Sequence, residues 1–194
     1  MNVTKTTYGE SLDEISSALE AWKNGERGAF SIIFRTYFPR CHRLAWALLG
    51  NRDEALDVTQ NAFIKVYRAR DRVDTSRPLF PWLRAIVVSE TRMHQRSARR
   101  RQQRAEALAH EPDSWIKPQG PRVDSDDAVL VRRALDQLPA EDRELIVLKH
   151  LEGLRYADIG EVLGIPAGTV MSRLYHARRR LREALVRLGV KDVK

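Results

Sequence analysis

The chain has 194 residues, of which 43% are hydrophobic, so it can build one ordinary domain or two small ones. Its 34 lysines and arginines exceed its 26 acids and leave a formal charge of +8, which favours a polyanionic partner over an acidic small molecule. A single cysteine excludes an internal disulfide, and no signal peptide or apolar run of about 18 residues is present. We therefore expect a cytoplasmic chain that does not insert into a membrane.

Segments with a 3.6-residue apolar period lie between glycines and prolines, and two-residue alternation is scarce, which predicts an all-α fold. Ser11 and Glu14 are spaced as a capping box for a short helix through Trp22. Pro39 is expected to stop or kink the next helix, and a further helix is expected to end at Gly50.

Asn51 and Glu54 are spaced as a second cap, for a helix that runs to about Arg70. Its predicted buried stripe consists of Ala55, Val58, Thr59, Ala62, Phe63 and Val66. A loop over residues 71–78 follows, and the last helix of this block begins near Pro81 and Trp82. That helix runs into a cluster of arginines without intervening acids, a pattern that tracks phosphates, at positions 92, 96, 99, 100, 101 and 104.

Residues 106–127 contain three prolines and six acids, so we assign residues 105–127 as a linker. The linker separates two helical domains, at residues 26–104 and 128–187, with an N-terminal extension at 1–25 and a tail at 188–194. Pro139, Gly153 and Gly164 divide the second domain into about four helices.

Within the second domain, residues 156–185 have the pattern of two helices joined by a tight turn. The first helix covers Tyr156 to Leu163, with Gly160 small enough for another helix to cross closely. Gly164 can take the turn, and Pro166 suits the first position of the next helix because that position needs no N–H donor. This spacing predicts a helix-turn-helix.

The second of these helices has a predicted buried stripe of Val170, Leu174, Ala177 and Leu181. The opposite face carries hydrogen-bonding groups near the helix start and then cations, as a reader of the DNA major groove requires. Its members are Gly168, Thr169, Ser172, Arg173, Tyr175, His176, Arg179 and Arg180. The alternative is an ordinary amphipathic helix with a solvated cationic side.

Residues 138–181 read LPAEDRELIVLKHLEGLRYADIGEVLGIPAGTVMSRLYHARRRL and resemble domain four of bacterial sigma factors of the extracytoplasmic-function group. The family pattern runs L-P-x-x-x-R-x-x-x-x-L-x-x-x-E-G-x-x-x-x-E-I-A, then L-G-I-P-x-G-T-V-x-S-R-L-x-x-A-R-x-x-L. This chain departs from it with Asp158 at the usual Glu and Gly160 at the usual Ala. The resemblance implies that the second helix reads the minus-thirty-five promoter element.

The helix that begins near Asn51 has a second face of mixed polarity, formed by Asp57, Gln60, Asn61 and Ile64. Residues 51–69 resemble the segment of sigma domain two that binds core RNA polymerase, which implies that this face docks on the enzyme. Leu56 and Asn61 replace two glutamates that are usual in the family. Phosphorylation of Thr59 is one way to restore negative charge, and a solvated surface is the alternative for the whole face.

Residues 80–100 resemble the family segment associated with the minus-ten element, with Ser89 and Met93 in place of the usual Asn and Asp. The resemblance implies that the preceding loop holds a flipped non-template base, which needs stacking and hydrogen-bonding partners. The candidates for minus-ten binding are Asp74, Thr75, Ser76, Arg77, Trp82, Arg92 and Arg96. The alternatives are an ordinary polar turn for the loop and core packing for Trp82.

Catalytic motifs such as a P-loop or H-E-x-x-H are absent from the sequence, and its five histidines are scattered, so we expect neither an enzyme nor a cofactor or metal. Cys41 is expected to be a core residue. The resemblance implies core RNA polymerase and promoter DNA as partners, and an anti-sigma factor as regulator. The alternative functions are a DNA-binding regulator that acts without polymerase and a sigma mimic that binds an anti-sigma factor.

Overall fold

The computed structural model describes residues 12–108 and 126–190, and every regular element in these two ranges is a helix, as predicted. The first range contains α1 (Leu12–Lys23), α2 (Ala29–Leu49), α3 (Arg52–Arg68), a 3₁₀ turn (Arg70–Arg72) and α4 (Leu79–Leu108). The second contains α5 (Asp126–Asp136), α6 (Ala140–Ile146), a π-helical turn (Val147–Leu151), α7 (Tyr156–Leu163) and α8 (Ala167–Arg187).

The described residues fall into two compact units. The first unit takes in those of Met1–Ala45 and Asp53–Ala105, and the second takes in those of Trp46–Arg52 and Glu106–Lys194. Helical structure enters both ends of the predicted linker, since α4 runs to Leu108 and α5 begins at Asp126.

Helix α1 is an integral part of the first unit. The helix buries its apolar face, and Trp22 is only 2% exposed with its ring 5.1 Å from the ring of Phe30. The predicted cap residue Ser11 lies outside the described residues, whereas the predicted helix through Trp22 is confirmed. Burial of this face gives α1 a structural role that the sequence left open.

The prediction that a separate helix follows Pro39 is wrong, because no helix ends there. Helix α2 continues through Pro39 as one helix from Ala29 to Leu49. Proline removes one backbone donor, but Pro39 lies on the exposed side, where water can satisfy the carbonyl group of Arg35. Ile33 and Leu44, on either side of the proline, are fully buried and hold both halves of the helix against the unit.

An aromatic cluster joins α2 to α3, with Phe63 at its centre. The Phe63 ring lies 6.2 Å from Phe30, 5.0 Å from Phe34 and 5.6 Å from Phe38, mostly in tilted or edge arrangements that favour aromatic pairs. The buried stripe predicted for this helix is confirmed in full: Ala55, Val58, Thr59, Ala62, Phe63 and Val66. Because this stripe faces inward, the opposite face of α3 remains exposed.

The second unit forms around α8, which contacts α5, α6 and α7. Ala134 of α5 packs with Ala184 and Leu185 of α8 in one buried cluster. Four helices were predicted for this part of the chain, and four are observed, with the π-helical turn continuing α6.

Candidate nucleic-acid interface

The turn between α7 and α8 has the geometry of a tight helix-turn-helix. Helix α7 has the predicted bounds, and Gly164 follows it with φ of +68°, a left-handed conformation that glycine adopts without strain. Gly160 faces the turn, since a Cβ atom there would lie 2.6 Å from the carbonyl oxygen of Ile165. The first residue of α8, Ala167, also lies close, with its N and Cα atoms 3.5 and 3.7 Å from that Cβ position, so Gly160 accommodates both the turn backbone and the start of the next helix. Pro166 caps α8 and does not occupy its first position, which is Ala167.

The start of α7 is fixed by Asp158, the residue that replaces the family's usual glutamate. Its carboxylate accepts hydrogen bonds from the Arg155 backbone N–H at 3.2 Å and from the Arg155 guanidinium at 3.0 Å through two nitrogens. An acid in the first turn also interacts favourably with the helix dipole. The shorter side chain thus still caps the scaffold helix.

Helix α8 separates a buried stripe from an exposed face, as the sequence predicts. Val170, Leu174 and Ala177 are buried, and Leu181 is half-buried. The candidate DNA-reading residues lie on the other side, with Thr169 half-buried and the rest exposed: Gly168, Ser172, Arg173, Tyr175, His176, Arg179 and Arg180. Open space surrounds Gly168, so another molecule can approach the helix start closely.

The cations of this face differ in their surroundings. Arg180 pairs with Asp142 of α6, whose side chain is only 10% exposed, and Arg179 lies 3.6 Å from the carboxylate of Glu183 on the same helix. Arg173 has no ion-pair partner among the described residues. Beside it, Tyr175 is 66% exposed and meets the ring of His176 edge to face at 5.4 Å. The guanidinium group of Arg173 is thus the most available cation near the helix start.

A hydrogen bond joins the π-helical turn to α8. His150 in this turn accepts a 3.3 Å hydrogen bond at Nε2 from the Nε of Arg178, so this imidazole is neutral at that nitrogen. Partial burial, with the nearby charges of Arg178 and Lys149, lowers the pKa of His150. Lys149 donates to the carbonyl oxygen of Leu154 at 3.0 Å, which ties the turn to the loop before α7.

In the first unit, the loop candidates form one hydrogen-bonded turn. The Asp74 carboxylate accepts from the Ser76 N–H at 3.0 Å and the Ser76 hydroxyl at 2.5 Å, and lies 3.2 Å from the Arg77 guanidinium. The hydrogen bonds from Ser76, followed by the charge of Arg77, lower the pKa of Asp74. Thr75 is half-buried within this turn.

The remaining minus-ten candidates lie along α4. Trp82 and Arg92 are half-buried, and Arg96 is exposed one helical turn after Arg92 on the same face. The arginines that follow are exposed as well, at positions 99, 100, 101 and 104. The structure thus brings Arg92 and Arg96 together and places Trp82 more than two turns earlier.

The second face of α3 is open to solvent. Asp57, Gln60, Asn61 and Ile64 are all exposed, and the side chain of Ile64 is 48% exposed. The apolar character of the surface is greater than predicted, because Leu56 and Tyr67 are exposed on the same helix. An apolar periodicity search misses these two because they interrupt a polar face instead of forming a stripe.

The idea that Thr59 is phosphorylated is contradicted by its position. Thr59 is fully buried, and its hydroxyl donates a 2.6 Å hydrogen bond to the carbonyl oxygen of Ala55. A kinase cannot reach this oxygen in the folded domain. The missing negative charge on this face is therefore not restored at Thr59.

Two residues that organise these surfaces escaped sequence reasoning. Asp142 pairs with Arg180 from 38 positions away, and Lys23 donates a hydrogen bond to Val73 from 50 positions away. Neither spacing belongs to a local motif, so only the fold brings the partners together.

Cys41 is buried, as predicted for a core cysteine.

Within residues 12–108 and 126–190, no cluster of His, Cys, Asp and Glu is placed to hold a metal ion. No helix in the same ranges is long and apolar enough to cross a membrane.

Comparison with known proteins identifies both halves of the chain. Residues 33–101 match Sigma-70 region 2, and residues 128–181 match Sigma-70, region 4. The chain is 34% identical to the ECF RNA polymerase sigma factor SigE of Mycolicibacterium smegmatis, across 95% of this chain and 73% of that protein. It is 30% identical to the ECF RNA polymerase sigma factor SigW of Bacillus subtilis, across 88% of this chain and 96% of that protein.

A solved structure agrees with these matches. The sigma factor RpoE of Bartonella quintana, crystallised with the anti-sigma factor NepR, has a TM-score of 0.63 and 28% identity, covering 80% of this chain and 96% of that one. All three relatives are named as sigma factors, which decides against a regulator that acts without polymerase and against a sigma mimic. Proteins of this family regulate transcription and are not enzymes. The chain therefore belongs to the extracytoplasmic-function sigma factors of RNA polymerase, and it is an alternative sigma factor.

Proposed function

We propose that this sigma factor reads the minus-thirty-five element with the exposed face of α8. The observation that carries the proposal is the partition of this helix, where hydrogen-bonding groups and Arg173 lie opposite the buried residues Val170, Leu174 and Ala177. Ser172, Arg173 and Tyr175 contact base edges, because they lie near the helix start that enters a major groove. Arg179 contacts phosphates, and Arg180 contributes charge while it remains held by Asp142.

The first domain, residues 26–104, docks on core RNA polymerase and opens the minus-ten DNA. Docking uses Asp57, Gln60, Asn61 and Ile64, a face whose mixture of exposed acid, amide and apolar groups suits a partner helix. The turn from Asp74 to Arg77 holds a flipped base, and Arg92 and Arg96 follow the DNA backbone. Trp82, half-buried near the start of α4, belongs to the same proposed surface.

The linker, residues 105–127, tethers this domain to the promoter-reading domain at 128–187. Once the first domain has bound, the tether raises the effective concentration of the second near its DNA element. The protein performs no chemistry of its own and works in the cytoplasm, where polymerase supplies catalysis. An anti-sigma factor holds it inactive, as suggested by the relative that was crystallised with one.

Run-off transcription tests this function directly. Purified bacterial core polymerase is incubated with a pool of genomic fragments, with and without the protein. New discrete transcripts that depend on the protein are the expected result, and their start sites give both promoter elements. An absence of new transcripts, together with failure to co-elute with core polymerase, would reject the proposal.

A further inference from the structure

Helix α1 lies outside the segment that matches Sigma-70 region 2, yet its last turn contacts the segment that leads into the minus-ten loop. The Lys23 ammonium donates a 2.8 Å hydrogen bond to the carbonyl oxygen of Val73, in partly buried surroundings. Val73 directly precedes Asp74, the residue that organises the loop, and its own side chain is buried. The ammonium group of Lys23 therefore fixes the peptide group from which the loop begins.

A second contact lies beside the first. Gly25 follows the end of α1 with a φ of +87°, which turns the chain, and a Cβ atom there would lie 3.2 Å from Nη1 of Arg70 in the 3₁₀ turn. Backbone hydrogen bonds from Gly25 to Trp22 and from Glu26 to Ala21 close the helix end. The end of α1 thus contacts the 3₁₀ turn and the residue after it at two separate points.

The far end of the loop is anchored independently. Leu79 and Phe80 are buried at the start of α4, so only residues 74–78 span the distance between two fixed points. Inside this span, Asp74 accepts both hydrogen bonds from Ser76. The direction in which the Asp74 turn faces is consequently set by the Val73 peptide group on one side and by α4 on the other.

We propose that Lys23 is a positioning residue for recognition of the flipped minus-ten base, acting through the Val73 carbonyl group on the loop from Asp74 to Arg77. The proposal rests on the function proposed above for that loop. Lys23 touches no DNA in this role. It makes α1 part of the promoter-opening apparatus, because the hydrogen bond constrains the first peptide of a short loop that must present its polar groups in one orientation.

The test uses the full-length protein assembled with core polymerase. Binding is measured to four single-stranded oligonucleotides that carry the minus-ten non-template sequence from the run-off transcripts and differ only at the flipped position. Lys23→Met removes the donor while keeping the length of the side chain, and Lys23→Arg retains a donor. Arg35→Met removes an exposed cation from α2 of the same unit and controls for the loss of charge.

We expect Lys23→Met to reduce the ratio of the affinities for the best and the worst base by about fivefold, which is less than the full effect of a lost hydrogen bond to a charged group because Lys23 acts on the base only through the loop. Lys23→Arg and Arg35→Met should retain the wild-type ratio, and the affinity of Lys23→Met for core polymerase should be unchanged. A purely structural role predicts a lower melting temperature and a uniform loss of affinity for all four oligonucleotides, and that pattern would overturn the proposal.

Asp74→Ala separates failure of this inference from failure of the proposed function. If Asp74→Ala loses base discrimination while Lys23→Met keeps it, the loop reads the base and Lys23 does not position it. If both variants keep the ratio, the loop is not the base reader, and its proposed function and the role of Lys23 are both rejected.

Discussion

Single side chains decide how the exposed face of α8 can act on DNA. Arg180 is held by Asp142, and Arg179 lies near Glu183, whereas Arg173 has no ion-pair partner among the described residues. A guanidinium group without an internal partner need not break an ion pair before it forms a bidentate contact with guanine. Within the cations of this face, Arg173 is therefore the best placed to confer sequence specificity.

Replacement of Arg173 tests this assignment. We expect Arg173→Ala to weaken binding to the cognate minus-thirty-five element by about 1 to 3 kcal/mol and to reduce discrimination at one base position. Fluorescence anisotropy with single-base promoter variants measures both effects. Arg182→Ala, which removes another exposed arginine of α8, is the matched control and should weaken all sequences alike. Equal losses for both variants would remove Arg173 from the base-reading set.

The burial of Thr59 leads to a second prediction at this scale. Thr59→Glu places a carboxylate in a fully buried position and should lower the free energy of unfolding by about 3 kcal/mol or more. Thr59→Val keeps the shape of the side chain and should lower the free energy of unfolding far less. The hydroxyl that it removes only shares the carbonyl oxygen of Ala55 with the backbone of the helix. Denaturant unfolding of both variants gives the comparison. A stable Thr59→Glu variant would show that this position is accessible.

At the scale of a helix, α3 shows how one element serves two purposes. Its inward face is closed by the cluster around Phe63, and its outward face carries Asp57, Gln60, Asn61 and Ile64. Because the two faces consist of different residues, substitutions on the outward face should leave the core intact. If this face docks as proposed, burial of the exposed side chains of Leu56 and Tyr67 would stabilise the partner without charge.

Charge reversal at Asp57 tests the docking face. Asp57→Arg should weaken association with core polymerase by about 100-fold or more, because a reversed charge leaves an unfavourable pair at the interface. The melting temperature of the isolated protein should be unchanged, since the side chain is exposed. Glu20→Arg makes the same charge change on an exposed position of α1 and should bind core normally. Normal association of Asp57→Arg would exclude this face from docking.

The π-helical turn predicts a pH dependence for the second unit. The pKa of His150 lies below its unfolded value of 6.5, so the unfolded chain binds more protons as the pH falls through that value. Stability contributed by the neutral imidazole is therefore complete above pH 6.5 and decreases below it. His150→Gln keeps an acceptor for Arg178 but cannot titrate. Between about pH 7.5 and 5.5, the melting temperature of the variant should fall less than that of the wild type. Identical slopes would contradict the prediction.

At the scale of the whole molecule, local patterns predicted helices well and long-range contacts poorly. The bounds of α7 and all six buried residues of α3 followed from periodicity and capping. Pro39 did not end α2, because it lies on the exposed side of the helix, where water can satisfy the freed carbonyl group. The contacts of Lys23 with Val73 and of Asp142 with Arg180 join distant parts of the chain, so no spacing rule could reveal them.

The net charge of +8 predicts a strong dependence of promoter binding on salt. Each arginine that neutralises a duplex phosphate adds about 0.9 to the slope of log affinity against log salt. Arg99→Gln with Arg100→Gln should therefore flatten the slope for the holoenzyme by up to about 2 if both contact the duplex. The double substitution Arg35→Gln with Arg43→Gln changes two exposed arginines of α2 and should leave the slope unaltered. An unchanged slope for the first pair would remove the end of α4 from the DNA path.

The division of α8 into a buried stripe and an exposed reading face bears on how such proteins diverge. Most side chains of the proposed reading face are exposed and lie outside the buried stripe, so many of them can be exchanged without loss of fold. A duplicated gene can therefore acquire a new promoter preference through a few substitutions around Arg173 while Val170, Leu174 and Ala177 stay as they are. Several such factors can then share one polymerase in a single cell, each serving its own set of genes.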